Sequence, residues 1–116
     1  MSYKMNSAHL SSQSGRLLDE AFLANTPWLR LRGLLGRSTL TDNQGMLISP
    51  CNSVHTIGMS YPLDIVYLND KNQVLKITRN LKPWRSSGCK DATKVLELTA
   101  GNASKKNINQ GDILSW

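Results

Sequence analysis

The chain has 116 residues, enough for one domain with a continuous core and too few for a second. Apolar residues make up 40% and charged residues 19%, which excludes the weakly apolar, highly charged composition that keeps chains disordered. The net charge of +6 is uneven: residues 41–70 hold Asp42, Asp64 and Asp70 without a Lys or Arg, while residues 71–116 are strongly basic, and such a field favours anionic partners.

Residues 1–15 are rich in Ser and hold no apolar run of the length that a signal peptide or a membrane span requires. They read as a flexible polar leader to a domain over residues 16–116, and the expected compartment is the cytoplasm. There, Cys51 and Cys89 are too few for a disulfide framework and are expected to stay thiols. The run 17–24 reads as a strand in preference to a helix. Thr26-Pro27 predicts a short helix, because threonine caps free N–H groups and proline suits the first turn; Trp28, Leu31 and Leu35 then share one face. Beyond Gly45 the texture changes to short apolar runs between turn residues. Met46-Leu47-Ile48 is one strand. Residues 63–68 and 74–77 flank the polar turn Asn69-Asp70-Lys71-Asn72 and predict a hairpin, whose first arm is apolar on both faces and needs cover on both sides. Asp64 is the exception within that arm. Residues 80–91, with Pro83 and Gly88, show no strand character and read as a long loop, the kind of segment that carries function. Residues 95–99 alternate and predict a half-buried strand; a helical turn at 103–107 and a strand at Ile113-Leu114 finish the chain.

Several of these residues form linked motifs: Arg32-Gly33-Leu34-Leu35-Gly36-Arg37, Gly45-Met46-Leu47, Pro62-Leu63-Asp64-Ile65, Leu96-Glu97-Leu98 followed by Ala100-Gly101, and Gly111-Asp112. In order and spacing they resemble the family known as domain of unknown function 192, over residues 16–115. The resemblance implies a single small α+β domain, with a mainly antiparallel, curled or barrel-like sheet and one short N-terminal helix; it implies no established reaction. Where many members carry an aromatic residue and then Met-Lys-Asn, this chain has His55-Thr56 and resembles a variant branch.

Chemistry-bearing residues crowd one short stretch. Cys51, His55 and Asp64 supply a nucleophile, a base and a carboxylate, the set that covalent catalysis by cysteine uses; a buried cysteine acting as a small hydrophobe is the plainer reading. A metal is not expected, since Cys51 and His55 give two ligands where zinc takes at least three from protein. Asp64 is expected to bond the His55 imidazole or the Thr56 hydroxyl and so pin the 53–59 loop. Lys76, Arg79, Lys82 and Arg85 end beside Trp84, a pattern that could hold phosphates while the indole stacks on a ring. The favoured reading is an accessory module that binds a small or anionic ligand between the 51–62 and 80–91 segments, through His55, Thr56, Met59, Asp64, Trp84 and Arg85. A cysteine-dependent enzyme using Cys51 and His55, and a nucleic-acid-binding domain using the basic 76–94 segment, are the alternatives. No cofactor is expected, and the chain is expected as a monomer or weak dimer.

Overall fold

A computed structural model describes residues 5–26, 29–30, 33–34 and 39–116. Its strands are β1 (Ser7–Ser12), β2 (Gly15–Ala24), β3 (Gln44–Ile48), β4 (Ser53–His55), β5 (Leu63–Leu68), β6 (Val74–Leu81), β7 (Ser86–Gly88), β8 (Lys94–Thr99) and β9 (Leu114–Ser115), with helix α1 (Asn102–Lys105) before the last. Seven strands form one curled half-barrel sheet in the order β6-β5-β8-β3-β2-β1-β9, and β4 with β7 forms a separate two-stranded ribbon. Neighbours are antiparallel except β2 and β3, which run parallel with Ala21 opposite Gly45 and Leu23 opposite Leu47. The sheet curls far enough for its two edges to meet at one corner. There Gln73, just before β6, bridges Ile113, just before β9, and Val74 N–H donates to the Asp112 carbonyl at 2.8 Å.

Alternation along the strands sends side chains to two cores, one on each face of the sheet. Leu47, Val66, Leu68, Leu96 and Leu98 point into the curl and pack with Leu10, Leu18, Ala103, Ile108 and Leu114. Met46, Ile48, Ile65, Tyr67 and Val95 point the other way and are covered by Leu34 and Leu40, with Cys51, Val54, Met59 and Tyr61 at the margin. Every residue of β5 is therefore buried, between β6 and β8 laterally and between the two cores vertically, as its apolar sequence requires. The curl is tight at Gly45, where a Cβ would come within 3.0 Å of Leu18 Cδ1 and Leu98 Cδ2. The hairpin turn is held by Asn69, whose Oδ1 accepts from the N–H groups of Lys71 and Gln73, each at 2.9 Å.

Four expectations need correction. The short helix described from end to end is α1, near the C-terminus, where the expectation put it near the N-terminus. Pro27, Trp28, Leu31, Leu35 and Arg37 of that segment lie outside the described residues; of those described there, Leu29 and Arg30 are helical, Thr26 Oγ1 accepts from Leu29 N–H at 3.2 Å as a capping threonine does, and Gly33, at φ 52, leaves the right-handed region. Residues 1–15 include β1, which pairs with both β2 and β9 and buries Leu10 completely. The 80–91 segment is not one loop: β6 extends to Leu81, and β7 pairs Ser86, Ser87 and Gly88 with His55, Val54 and Ser53. Finally, β8 is buried on both faces, so Glu97 does not face solvent; it is 5% exposed. No helix among the described residues is long and apolar enough to cross a membrane.

Candidate functional site

The β4–β7 ribbon leans on the main sheet through Ser87, whose hydroxyl accepts from Tyr67 Oη at 2.7 Å and lies 2.8 Å from Thr78 Oγ1. Lys76 Nζ donates to the Gly88 carbonyl at 2.8 Å and lies 5.6 Å from the Tyr67 ring centre. Beyond the ribbon the chain is gathered around Thr56, which is fully buried. Its hydroxyl donates to the Lys82 carbonyl at 2.6 Å and accepts from the Arg85 N–H at 2.9 Å. Its backbone N–H donates to the Arg85 carbonyl at 2.8 Å, and its carbonyl accepts from Trp84 N–H at 3.1 Å. One small residue thus ties down the whole 82–85 turn. A side chain with both a donor and an acceptor on one atom is what this clamp needs, which threonine supplies.

The turn presents Trp84 to solvent. The indole is 64% exposed, and its backbone sits at φ 62, a conformation that costs a bulky residue about 1–3 kcal/mol and persists only where its surroundings enforce it. Ile57, next to Thr56, is 51% exposed. Lys82, Arg85 and His55 are exposed around the same clamp, and Arg85 Nη1 donates to the Trp84 carbonyl at 3.1 Å. Thr56, Trp84, Arg85 and His55 are therefore brought together. Met59 is not part of this surface; its N–H donates to the Thr56 carbonyl while its side chain packs against the second core.

Asp64 is elsewhere. Buried in the curl of the sheet, its Oδ1 accepts from Asn80 N–H at 2.9 Å and its Oδ2 from the N–H groups of Gly101 and Ala103, each at 3.0 Å. It pins the end of β6 and the start of α1, and no bond joins it to His55 or Thr56. A catalytic trio of Cys51, His55 and Asp64 is thus not assembled. The Cys51 thiol donates to the Ser53 carbonyl at 3.1 Å, and burial, reinforced by the charge of Glu97, pushes it up from its ordinary range; it is held protonated, which disfavours a nucleophilic role. Both cysteines are free. The basic run is also divided: Lys76 serves the ribbon, whereas Arg79 Nη1 donates to Ser104 Oγ at 2.9 Å beside α1.

The second buried acid, Glu97, has no such partners. It lies between Met46 on β3 and Ile65 on β5, on the face opposite Asp64, and makes no hydrogen bond or ion pair among the described residues. Burial pushes its carboxyl up to about 7.

A model of one protein family matches residues 9–116, nearly the whole chain; the family is DUF192, described as "Uncharacterized ACR". The chain belongs to the DUF192 family. Two solved structures are similar throughout. A protein of unknown function from Novosphingobium aromaticivorans is 26% identical with a TM-score of 0.81, over 97% of this chain and 85% of that one. A "putative transcription regulator" from Sinorhizobium meliloti is 25% identical with a TM-score of 0.82, over 99% of this chain and 95% of that one. Among curated proteins none matches.

Within this DUF192 chain, sequence reasoning placed Glu97 on a polar face and missed it. The available signal was its position between Val95 and Thr99 in a strand whose same-face neighbours, Met46 and Ile65, are apolar, so that the face it points to is part of a core.

Proposed function

We propose that this DUF192 domain is an accessory module that binds a small anionic ligand carrying a planar ring, on the surface organised by Thr56. Trp84 supplies the stacking face, Lys82 and Arg85 supply the positive charge, and His55 and Ile57 flank them. The observation that carries this reading is Trp84 itself: a large apolar ring held 64% exposed, in a strained backbone conformation, by the hydrogen bonds of a buried threonine. Folding alone gains nothing from an indole kept in water, so the strain and the exposure point to contact with a ligand.

Adenosine monophosphate, which has a planar ring and a phosphate, is a suitable probe. Its addition is expected to shift the Trp84 indole signal in proton–nitrogen NMR spectra, with an affinity that falls as salt rises, and Trp84→Ala should weaken binding by about tenfold or more, the usual worth of one stacked ring. An unshifted indole, or equal affinity in the variant, would overturn the proposal. The likeness to the Sinorhizobium meliloti protein described as a transcription regulator favours a second reading, contact with nucleic acid. In that case a decathymidylate would bind far more tightly than the mononucleotide, with a steeper salt dependence. The division of the basic run, with Lys76 and Arg79 engaged apart from Trp84, favours the small ligand.

A further inference from the structure

We propose that the tip formed by the 56–59 and 82–85 turns docks the domain on a lipid bilayer with anionic head groups, Ile57 and Trp84 entering the interface while Lys82 and Arg85 face the phosphates. This goes beyond the ligand reading. It adds Ile57, which a ring stacked on Trp84 does not require, and it makes ligand and bilayer rivals for one tip.

The two turns are one unit. The Thr56 carbonyl accepts from both Met59 N–H and Trp84 N–H, each at 3.1 Å. The first bond closes a four-residue turn whose third position is Gly58 at φ 84, the left-handed conformation that such a turn needs, so Ile57 holds its outer corner. The second sets Trp84 beside that corner, and the Thr56 hydroxyl fixes the Lys82 carbonyl and the Arg85 N–H around it. Ile57 is 51% exposed and Trp84 64%. Four large apolar side chains are exposed among the described residues, and two of them stand on these turns that share an acceptor. Ile57 has no flat face for a ring to stack on; beside Trp84 it extends the tip into a patch suited to an apolar phase.

Charge identifies that phase. No Asp or Glu occurs in residues 50–62 or 71–90, the segments that build the tip and its approaches, while 71–90 hold Lys71, Lys76, Arg79, Lys82, Arg85 and Lys90. Lys82 and Arg85 are exposed on the turn itself. A tryptophan and a branched aliphatic side chain flanked by cations form the set that settles at a bilayer surface: the indole takes the head-group level, the aliphatic chain enters the acyl boundary and the cations meet phosphates. Two side chains bury little area, and screened charge alone attaches weakly, so the two contributions act jointly and the binding is reversible. Because the Thr56 bonds already fix both turns, the tip loses little freedom on docking.

Co-sedimentation with vesicles of equal parts phosphatidylcholine and phosphatidylglycerol, without nucleotide, tests this. Binding is expected, weaker on phosphatidylcholine alone and falling as salt rises. Two matched pairs of variants locate it. Ile57→Ser should weaken binding by about tenfold, whereas Ile113→Ser should not, although Ile113 is 56% exposed; it bridges Gln73, just before β6 and at the far end from the tip. Arg85→Ser should weaken it by about fivefold, and Lys71→Ser, an equal loss of charge at that far end, by less than about twofold. Bromines on the acyl chains should quench the parent's tryptophan fluorescence and quench that of Trp84→Phe much less. No binding would overturn the proposal, as would quenching that survives Trp84→Phe undiminished. Equal binding by Ile57→Ser and Ile113→Ser would also overturn it, marking a basic face for polyanions at large. With no nucleotide present, each of these outcomes is separate from those for adenosine monophosphate.

Discussion

Replacing Asp64 with alanine is expected to cost the domain about 3–6 kcal/mol, which for a fold of ordinary stability approaches complete unfolding. The variant removes one carboxylate but strands three backbone donors, those of Asn80, Gly101 and Ala103. The bond from Ala103 is buried and those from Asn80 and Gly101 are part-buried; a buried N–H left without an acceptor costs about 1–3 kcal/mol, and the bonds to a charged carboxylate are stronger than those to a neutral acceptor. The damage should extend beyond the loss of contact, because Asp64 is the joint between the end of β6 and the start of α1. Asp64→Asn should be milder, since one oxygen remains while the new amide nitrogen faces a donor. Urea denaturation measures both. An Asp64→Ala protein with the parent's midpoint would mean that these bonds do not hold the fold.

At Glu97 the expected effect has the opposite sign. Burial pushes its carboxyl up to about 7, from an ordinary value of 4.5, so the folded state binds this proton more tightly than the unfolded state does. The stabilisation from keeping Glu97 protonated is complete below about pH 4.5 and is lost as the pH rises to about 7; the loss is on the order of 3 kcal/mol. Glu97→Gln keeps the shape and removes the titration. The difference in unfolding free energy between parent and variant should therefore fall across that window and level off above it, leaving the variant the more stable of the two at pH 8. Parallel curves for the two proteins between pH 4 and pH 8 would contradict the burial of this carboxyl.

The two acids also show how much the sequence discloses. The arm 63–68 with its polar turn reads directly as a buried strand in a hairpin, because an apolar residue at every position requires cover on both faces and Asn69 is a turn former. Asp64 stands out in that arm for the same reason. Its partners do not, since Asn80, Gly101 and Ala103 are separated from it by 16, 37 and 39 positions and only the closed sheet brings them near. Glu97 is hidden by a different effect. Between Leu96 and Leu98 it imitates the polar half of a surface strand, yet in a sheet with a core on each face the second half of the alternation is buried too. Strand β1 escapes because Leu10 is its one large apolar residue; its pairing with β2 and β9 comes from backbone bonds that side chains do not announce. The Thr56 clamp is half legible. Thr56, Trp84 and Arg85 are residue types that attract attention, but the bonds that join them span more than two dozen positions.

Affinity for adenosine monophosphate in a Thr56→Val variant tests the proposed function most directly. Valine keeps the volume and removes the hydroxyl that bonds Lys82 and Arg85, while Trp84, Lys82, Arg85 and His55 all remain in the chain. If the surface works because Thr56 holds the indole out in a fixed pose, binding should weaken by about tenfold although every contacting side chain is still present, since the ordering that the clamp provides must then be supplied on binding. An affinity equal to that of the parent would show that Trp84 needs no such support, and the surface organised by Thr56 would not be the binding site.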